Sequence, residues 1–189
     1  KTVCFSKPGP ENTERTLALA FERAKALGIG TVVVATTSGA TAVQAVQWKS
    51  DLTVVAVTHS TGFSAPYTQS LTEENRAALD AAGAHILTTT HAFGGVGRAV
   101  RKKLNTYQVD EIIAFTLRTF GQGIKVVAEI TLMAADAGLL PARKPIVAVA
   151  GSGRGADTAV ALYPTHAQTF FDLKFLEIIC MPAPEHPAF

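Results

Sequence analysis

The sequence predicts an α/β fold, a three-layer sandwich in which a mostly parallel sheet carries helices on both faces. Three observations lead there. Strand-like and helix-like segments alternate along most of the chain, as βαβ units require. The strand candidates are short, continuous, Val-rich runs, such as Thr31-Val32-Val33-Val34 and Val54-Val55-Ala56-Val57, which suit strands covered on both faces. Finally, 48% of the 189 residues are apolar and 17% charged, enough apolar side chain for one sizeable core. One domain over residues 1–189 is therefore expected.

The elements follow in order. Thr2-Val3-Cys4-Phe5 reads as a strand, broken by Ser6-Lys7-Pro8-Gly9-Pro10. Asn12 or Thr13 can cap the next helix, whose inner stripe is Leu17, Ala20, Phe21, Ala24 and Leu27. Gly28 and Gly30 end it. A strand over 31–35, a helix over 40–49 and a strand over 52–57 come next. After an irregular connection around Pro66, a helix is expected over 71–82 and a short strand over 84–87. A helix then runs to about Asn105, a strand over 111–115, and a helix through Ala137 capped by Gly138. A strand over 145–150 leads to two more, 158–163 and 172–181, which extend the sheet at one edge. The tail 182–189, with three prolines, is expected to be loose or draped over the surface.

Charge and cysteines exclude several classes. A net charge of +2 gives no reason to expect a nucleic-acid partner. The basic cluster Arg98, Arg101, Lys102 and Lys103 reads as a solvated helix face, without the interleaved aromatics of a single-strand binder. Cys4 and Cys180 lie in separate apolar runs and read as reduced core residues, which suits a cytoplasmic protein. The sequence opens at Lys1 with no signal-peptide pattern, and no apolar run approaches the ~18 residues of a membrane span.

Function is expected at one edge of the sheet. In a parallel sheet all strand-to-helix loops share the carboxyl edge, where ligands bind. Here the expected loops 36–41, 59–64, 88–98, 116–123 and 151–157 hold most of the glycine and hydroxyl clusters, whereas the opposite loops are plain. The first is the most suggestive: Thr36, Thr37, Ser38 and Thr41 offer four hydroxyls around Gly39, at a strand end. Arg118 or Arg154 could add a bidentate charge to a phosphate there. Gly94, Gly95, Gly121 and Gly151 would admit close backbone approach. Phe93 and Phe120 sit in glycine-rich loops, where either could stack on a flat ligand, although packing beneath the loop is the favoured reading for both. His59 and His91 sit at the same edge, without companion ligands that would indicate a metal. Lys125 falls in a first helical turn close to the same place.

These residues carry a resemblance. The run VVVATTSGATAVQAVQWKSDLTVVAVT is similar to the C-terminal α/β domain of pyruvate kinase, whose turn reads T-K-[ST]-G-R-[ST]-A and holds a phosphate of a sugar bisphosphate. Thr36, Ser38, Gly39, Thr41 and Ala42 match, while Thr37 replaces the Lys and Ala40 the Arg. The resemblance thus implies binding of one phosphate more than of two. The kinase's catalytic barrel has no counterpart here, so kinase activity is not implied. CFSKPGPENTERTL, GSGRGADTA and FFDLKFLEII further resemble a stand-alone, mostly uncharacterised archaeal and bacterial family of such domains, some of which hold flavin mononucleotide (FMN). That resemblance implies FMN as cofactor, and the kinase domain's use in subunit contacts allows a homo-oligomer. The expected function is binding of a phosphorylated small molecule. The alternatives are a flavin-dependent oxidoreductase, another enzyme acting on a phosphorylated metabolite, and a sugar-phosphate sensor.

Overall fold

In the computed structural model, residues 1–183 are described. Seven strands form one sheet: β1 (Val3–Phe5), β2 (Thr31–Ala35), β3 (Thr53–Val57), β4 (His85–Leu87), β5 (Ile146–Ala150), β6 (Thr158–Tyr163) and β7 (Lys174–Pro182). Their order is β1-β7-β6-β5-β2-β3-β4. All neighbouring strands are parallel except at β6, which runs antiparallel to both β5 and β7. The expected extension beyond β5 is present, but β1 pairs outside β7 and forms the outer edge.

The helices are α1 (Thr13–Ala26), α2 (Ala40–Val46), α3 (Glu73–Ala81), α4 (Val96–Leu104), α5 (Val109–Arg118) and α6 (Gln122–Asp136). Alternation along β2 sorts the layers. Val32 and Val34 face a core built from Leu17, Phe21, Ala42, Ala45 and Leu79 of α1, α2 and α3. Val33 faces the other way, onto Ile124, Val127, Ile130 and Met133 of α6. Those four side chains recur at helical spacing, and each such burial contributes about 1.5–3 kcal/mol. The outer side of α6 is covered too: Ala128 and Leu132 pack with Phe93 and with Ala114 of α5. A helix covered on both sides explains why α6 is apolar nearly all round.

Four expectations need correction. Residues 111–115 are not a strand. They lie inside α5, where Glu111 and Ala114 are buried three residues apart while Ile112 and Phe115 are exposed. That is helical spacing, and acidic Asp110 and Glu111 in the first turn with Arg118 in the last favour the helix dipole. The apolar run Ile112-Ile113-Ala114-Phe115 is short enough to read either way. As a result, residues 116–123 join two helices instead of leaving a strand. Cys4 is exposed on β1, and only Cys180 is buried, its thiol pushed up to about 11 by loss of solvent. The basic cluster on α4 is not uniformly solvated, since Arg101 pairs with buried Glu111 at 2.5 Å and Arg98 turns to the cavity described below. In the expected tail, Pro182 ends β7 and Ala183 N–H donates to Phe5 O at 2.8 Å. The rest of that expectation, residues 184–189, lies outside the described residues.

Candidate functional site

The carboxyl ends of β2, β3, β4 and β5 point to one edge, and a cavity of about 820 Å³ opens there. Three kinds of wall enclose it. The first is the hydroxyl turn after β2. Gly39 at φ 99° makes the sharp reversal into α2, a conformation that disfavours a side chain. A Cβ there would also meet Asn75 and Leu71 at 2.5 and 2.6 Å. The start of α3 fixes the turn from outside, with Asn75 Nδ2 and Thr72 N–H donating to Ser38 O at 2.9 and 3.1 Å. Ser38 Oγ accepts weakly from Ala40 N–H at 3.4 Å. Thr36, Thr37, Ser38 and Thr41 all line the cavity. Thr36 is 7% exposed, and its hydroxyl has no hydrogen-bond partner in the protein. A buried, unsatisfied hydroxyl is costly, so one that lines a cavity is a ready contact for a polar ligand.

The second wall is cationic. Arg98, Arg118, Lys125 and Arg154 line the cavity, with Glu129 as the sole lining carboxylate among the described residues. Each arginine comes from a different element. Arg154 belongs to the loop between β5 and β6, which buried Asp157 holds by accepting from Ser152 N–H at 3.1 Å, Gly9 N–H at 3.3 Å and the Thr158 hydroxyl at 2.9 Å. Arg118, at the end of α5, donates to Gln122 Oε1 at 2.7 Å and lies 5.1 Å from the Phe115 ring centre. Arg98 folds back over Gly94, where a Cβ would lie 2.5 Å from its guanidinium, and sits 4.9 Å from the Phe63 ring centre. Lys125 is buried on α6 and pairs with Glu129 one turn later. Burial pulls the lysine's pKa down, while Glu129 opposes the shift. Glu129 also accepts Phe93 N–H at 3.1 Å, which anchors the loop after β4 to α6.

The third wall is aromatic. Phe63 stacks on His91 with centres 4.7 Å apart and planes within 6°. His59 leans on both rings. The loop that presents Phe63 is ordered by its own hydrogen bonds: Gln69 Nε2 donates to His59 O at 3.0 Å, and Gly62 N–H to Thr68 O at 2.8 Å. His91 Nε2 accepts from Ser60 N–H at 3.3 Å, so its proton sits on Nδ1, 3.9 Å from Glu129 Oε2. Burial is the main cause that carries His91 down to about 4 and lowers His59 as well. Both imidazoles are neutral at pH 7, and His59 Nδ1 is buried without a partner.

Of the residues expected from sequence, Thr36, Thr37, Ser38, Thr41, His59, Arg118 and Arg154 meet at this cavity. Gly39 shapes the turn and Gly94 admits Arg98, although neither lines the wall. Gly95, Gly121 and Gly151 lie outside the lining; a Cβ on Gly151 would strike Gly155 O at 2.4 Å, so its role is loop closure. Phe93 is buried beneath its loop, whereas Phe120 is 60% exposed and away from the lining, so it neither packs under its loop nor faces the cavity. Phe63, Arg98 and Glu129 also line the cavity and were not expected as site residues.

The model of the pyruvate kinase alpha/beta domain matches residues 14–161, a stretch that contains every wall of the cavity. The chain belongs to the pyruvate kinase alpha/beta domain family. Similar solved structures include Cryptosporidium parvum pyruvate kinase, at 16% identity and TM-score 0.39 over 76% of this chain and 21% of that one. A second pyruvate kinase structure from the same organism gives 16% and 0.41, over 79% and 22%. The complex of that organism's enzyme with ADP gives 16% and 0.40, over 88% and 23%. The chain thus spans about a fifth of the length of these relatives. No helix among the described residues is long and apolar enough to cross a membrane.

Proposed function

We propose that this protein binds a phosphorylated small molecule in the cavity, with its phosphate against the Thr36–Thr41 turn. The observation that carries the reading is the pairing of buried, unpartnered Thr36 Oγ1 with a wall of four cations and one carboxylate. Neutral histidines leave that excess of positive charge unaltered at pH 7. Arg154 and Arg118 are exposed and line the cavity, and a guanidinium fork suits bidentate contact with a phosphate.

FMN is the first ligand to test. The hydroxyl turn and arginines suit its phosphate, and the cavity volume lies in the ~300–1,000 Å³ range of cofactor sites. Val57, Val126, Ile130 and Met133 supply an apolar surface for a flat ring. Phe63 is less available for stacking, because His91 and Arg98 already engage it. Bound FMN would supply redox chemistry; the residues here would bind, orient and shield it. After incubation with FMN and removal of the excess, the protein should keep a yellow chromophore. Ser38→Ala combined with Thr41→Ala should release it. A protein that stays colourless and leaves flavin fluorescence unquenched overturns the FMN assignment. If inorganic phosphate also fails to protect the protein from thermal unfolding, the wider reading falls too.

A further inference from the structure

The Lys125–Glu129 pair is more than phosphate binding needs. Lys125 is 4% exposed and Glu129 3% exposed, yet both line the cavity. A buried ion pair seldom stabilises a fold more than apolar residues of the same volume would. Guanidinium groups at the rim already supply cations for an anion. A primary amine at the wall can do what a guanidinium cannot, which is to attack a carbonyl carbon. Its partner is fixed independently, because Phe93 N–H holds the other oxygen of the Glu129 carboxylate. The second oxygen therefore faces the amine as a positioned proton acceptor.

We propose that Lys125 forms an imine with a phosphorylated aldehyde or ketone whose phosphate rests on the Thr36–Thr41 turn. The proposal builds on the phosphate-binding reading and adds the reactive class of ligand. Glu129 takes a proton from the Lys125 ammonium, and the freed amine lone pair bonds to the carbonyl carbon. The C=O π pair moves to oxygen, which takes up an N–H proton to give the carbinolamine. Glu129 then returns its proton to the departing hydroxyl. The C–O bond breaks, water leaves, and the nitrogen lone pair closes the C=N bond. The product is a protonated imine, so the positive charge opposite Glu129 is kept and the buried carboxylate never loses its counter-ion. No oxidant or reductant is consumed.

The probe is pyridoxal 5′-phosphate, a phosphorylated aldehyde, followed by borohydride reduction and peptide mass mapping. One adduct is expected per chain, at Lys125. Excess inorganic phosphate or FMN should slow its formation at least about tenfold, and unphosphorylated pyridoxal should react slower by a similar factor. Lys125→Arg keeps the charge opposite Glu129 but has no primary amine. It should bind the probe reversibly, by equilibrium dialysis, and yield no adduct at this site. Binding of the probe to the wild-type protein without a Lys125 adduct overturns the imine while leaving phosphate binding intact. Labelling spread equally over exposed Lys7, Lys102 and Lys103 also overturns it. Failure to bind the probe at all overturns the imine, and the phosphate-binding reading falls with it only if FMN and inorganic phosphate also fail to bind.

Discussion

The hydroxyl turn and the α6 wall face the same cavity but are built in opposite ways. The turn is one contiguous stretch of uncharged residues, whose geometry is set by Gly39 and by backbone hydrogen bonds from the start of α3. The α6 wall is charged and assembled from α6, the loop after β3 and the loop after β4. The turn can lose a hydroxyl without leaving a buried charge behind. On the α6 wall each group depends on the next: Lys125 on Glu129, Glu129 on Phe93 N–H, and His91 on Ser60 N–H. Substitutions should accordingly cost ligand affinity on one side and folding stability on the other.

The largest effect is expected from Glu129→Ala. It leaves the Lys125 ammonium buried without a counter-ion and the Phe93 N–H without an acceptor. Breaking a buried pair in this way costs about 3–5 kcal/mol. Chemical denaturation should show the loss, and replacing Lys125 by Met in the same chain should restore a large part of it. If Glu129→Ala alone unfolds at the wild-type denaturant concentration, the wall is not interdependent as described.

Next comes the response to acid. His91 titrates near 4 in the folded protein, against 6.5 for the free side chain. Between those values the unfolded chain holds a proton that the folded one refuses. Stability should therefore fall as pH drops from about 6.5 towards 4, with no further loss from this group below that. His91→Gln should flatten the slope in that window. The groups facing His91 are His59, Glu129, Lys125 and Arg98, and Glu129 is the one that opposes the shift. An unchanged slope in the variant would assign the acid response to other residues.

The same contrast explains what was legible in the sequence. The fold was read from patterns that are local: Val-rich runs for β2, β3 and β5, and the apolar stripe of α1. The turn was legible because its residues are neighbours in the chain. Arg98 was misread because four basic residues on one helix look alike until the helix is docked, and only packing separates Arg98 from Lys102 and Lys103. Phe63 carries no sequence signal, since its place depends on a loop closed by Gln69 and Thr68. Glu129 did leave a trace. A lone Lys–Glu pair four residues apart, set among Val126, Val127, Ala128 and Ile130, is out of keeping with a helix apolar on both sides. Residues 111–115 failed for the opposite reason, because the apolar run of four, Ile112 to Phe115, carries no decisive period.

The smallest effect falls on the turn's side of the cavity, at Arg154. Its side chain is exposed and makes no ion pair among the described residues, while its loop is held by Asp157 and not by the arginine itself. Arg154→Ala should therefore leave the unfolding midpoint within error of wild type. If Arg154 contacts the ligand's phosphate, the substitution should weaken binding roughly tenfold, the worth of one charge-assisted hydrogen bond. The loss should shrink at high salt, because an exposed cation is screened. Titration of wild type and variant with inorganic phosphate at two ionic strengths measures both. Equal affinities would move the phosphate away from the β5–β6 loop and towards Arg118 and Lys125. A drop in stability instead would mean that this loop, like the α6 wall, is held together by its charges.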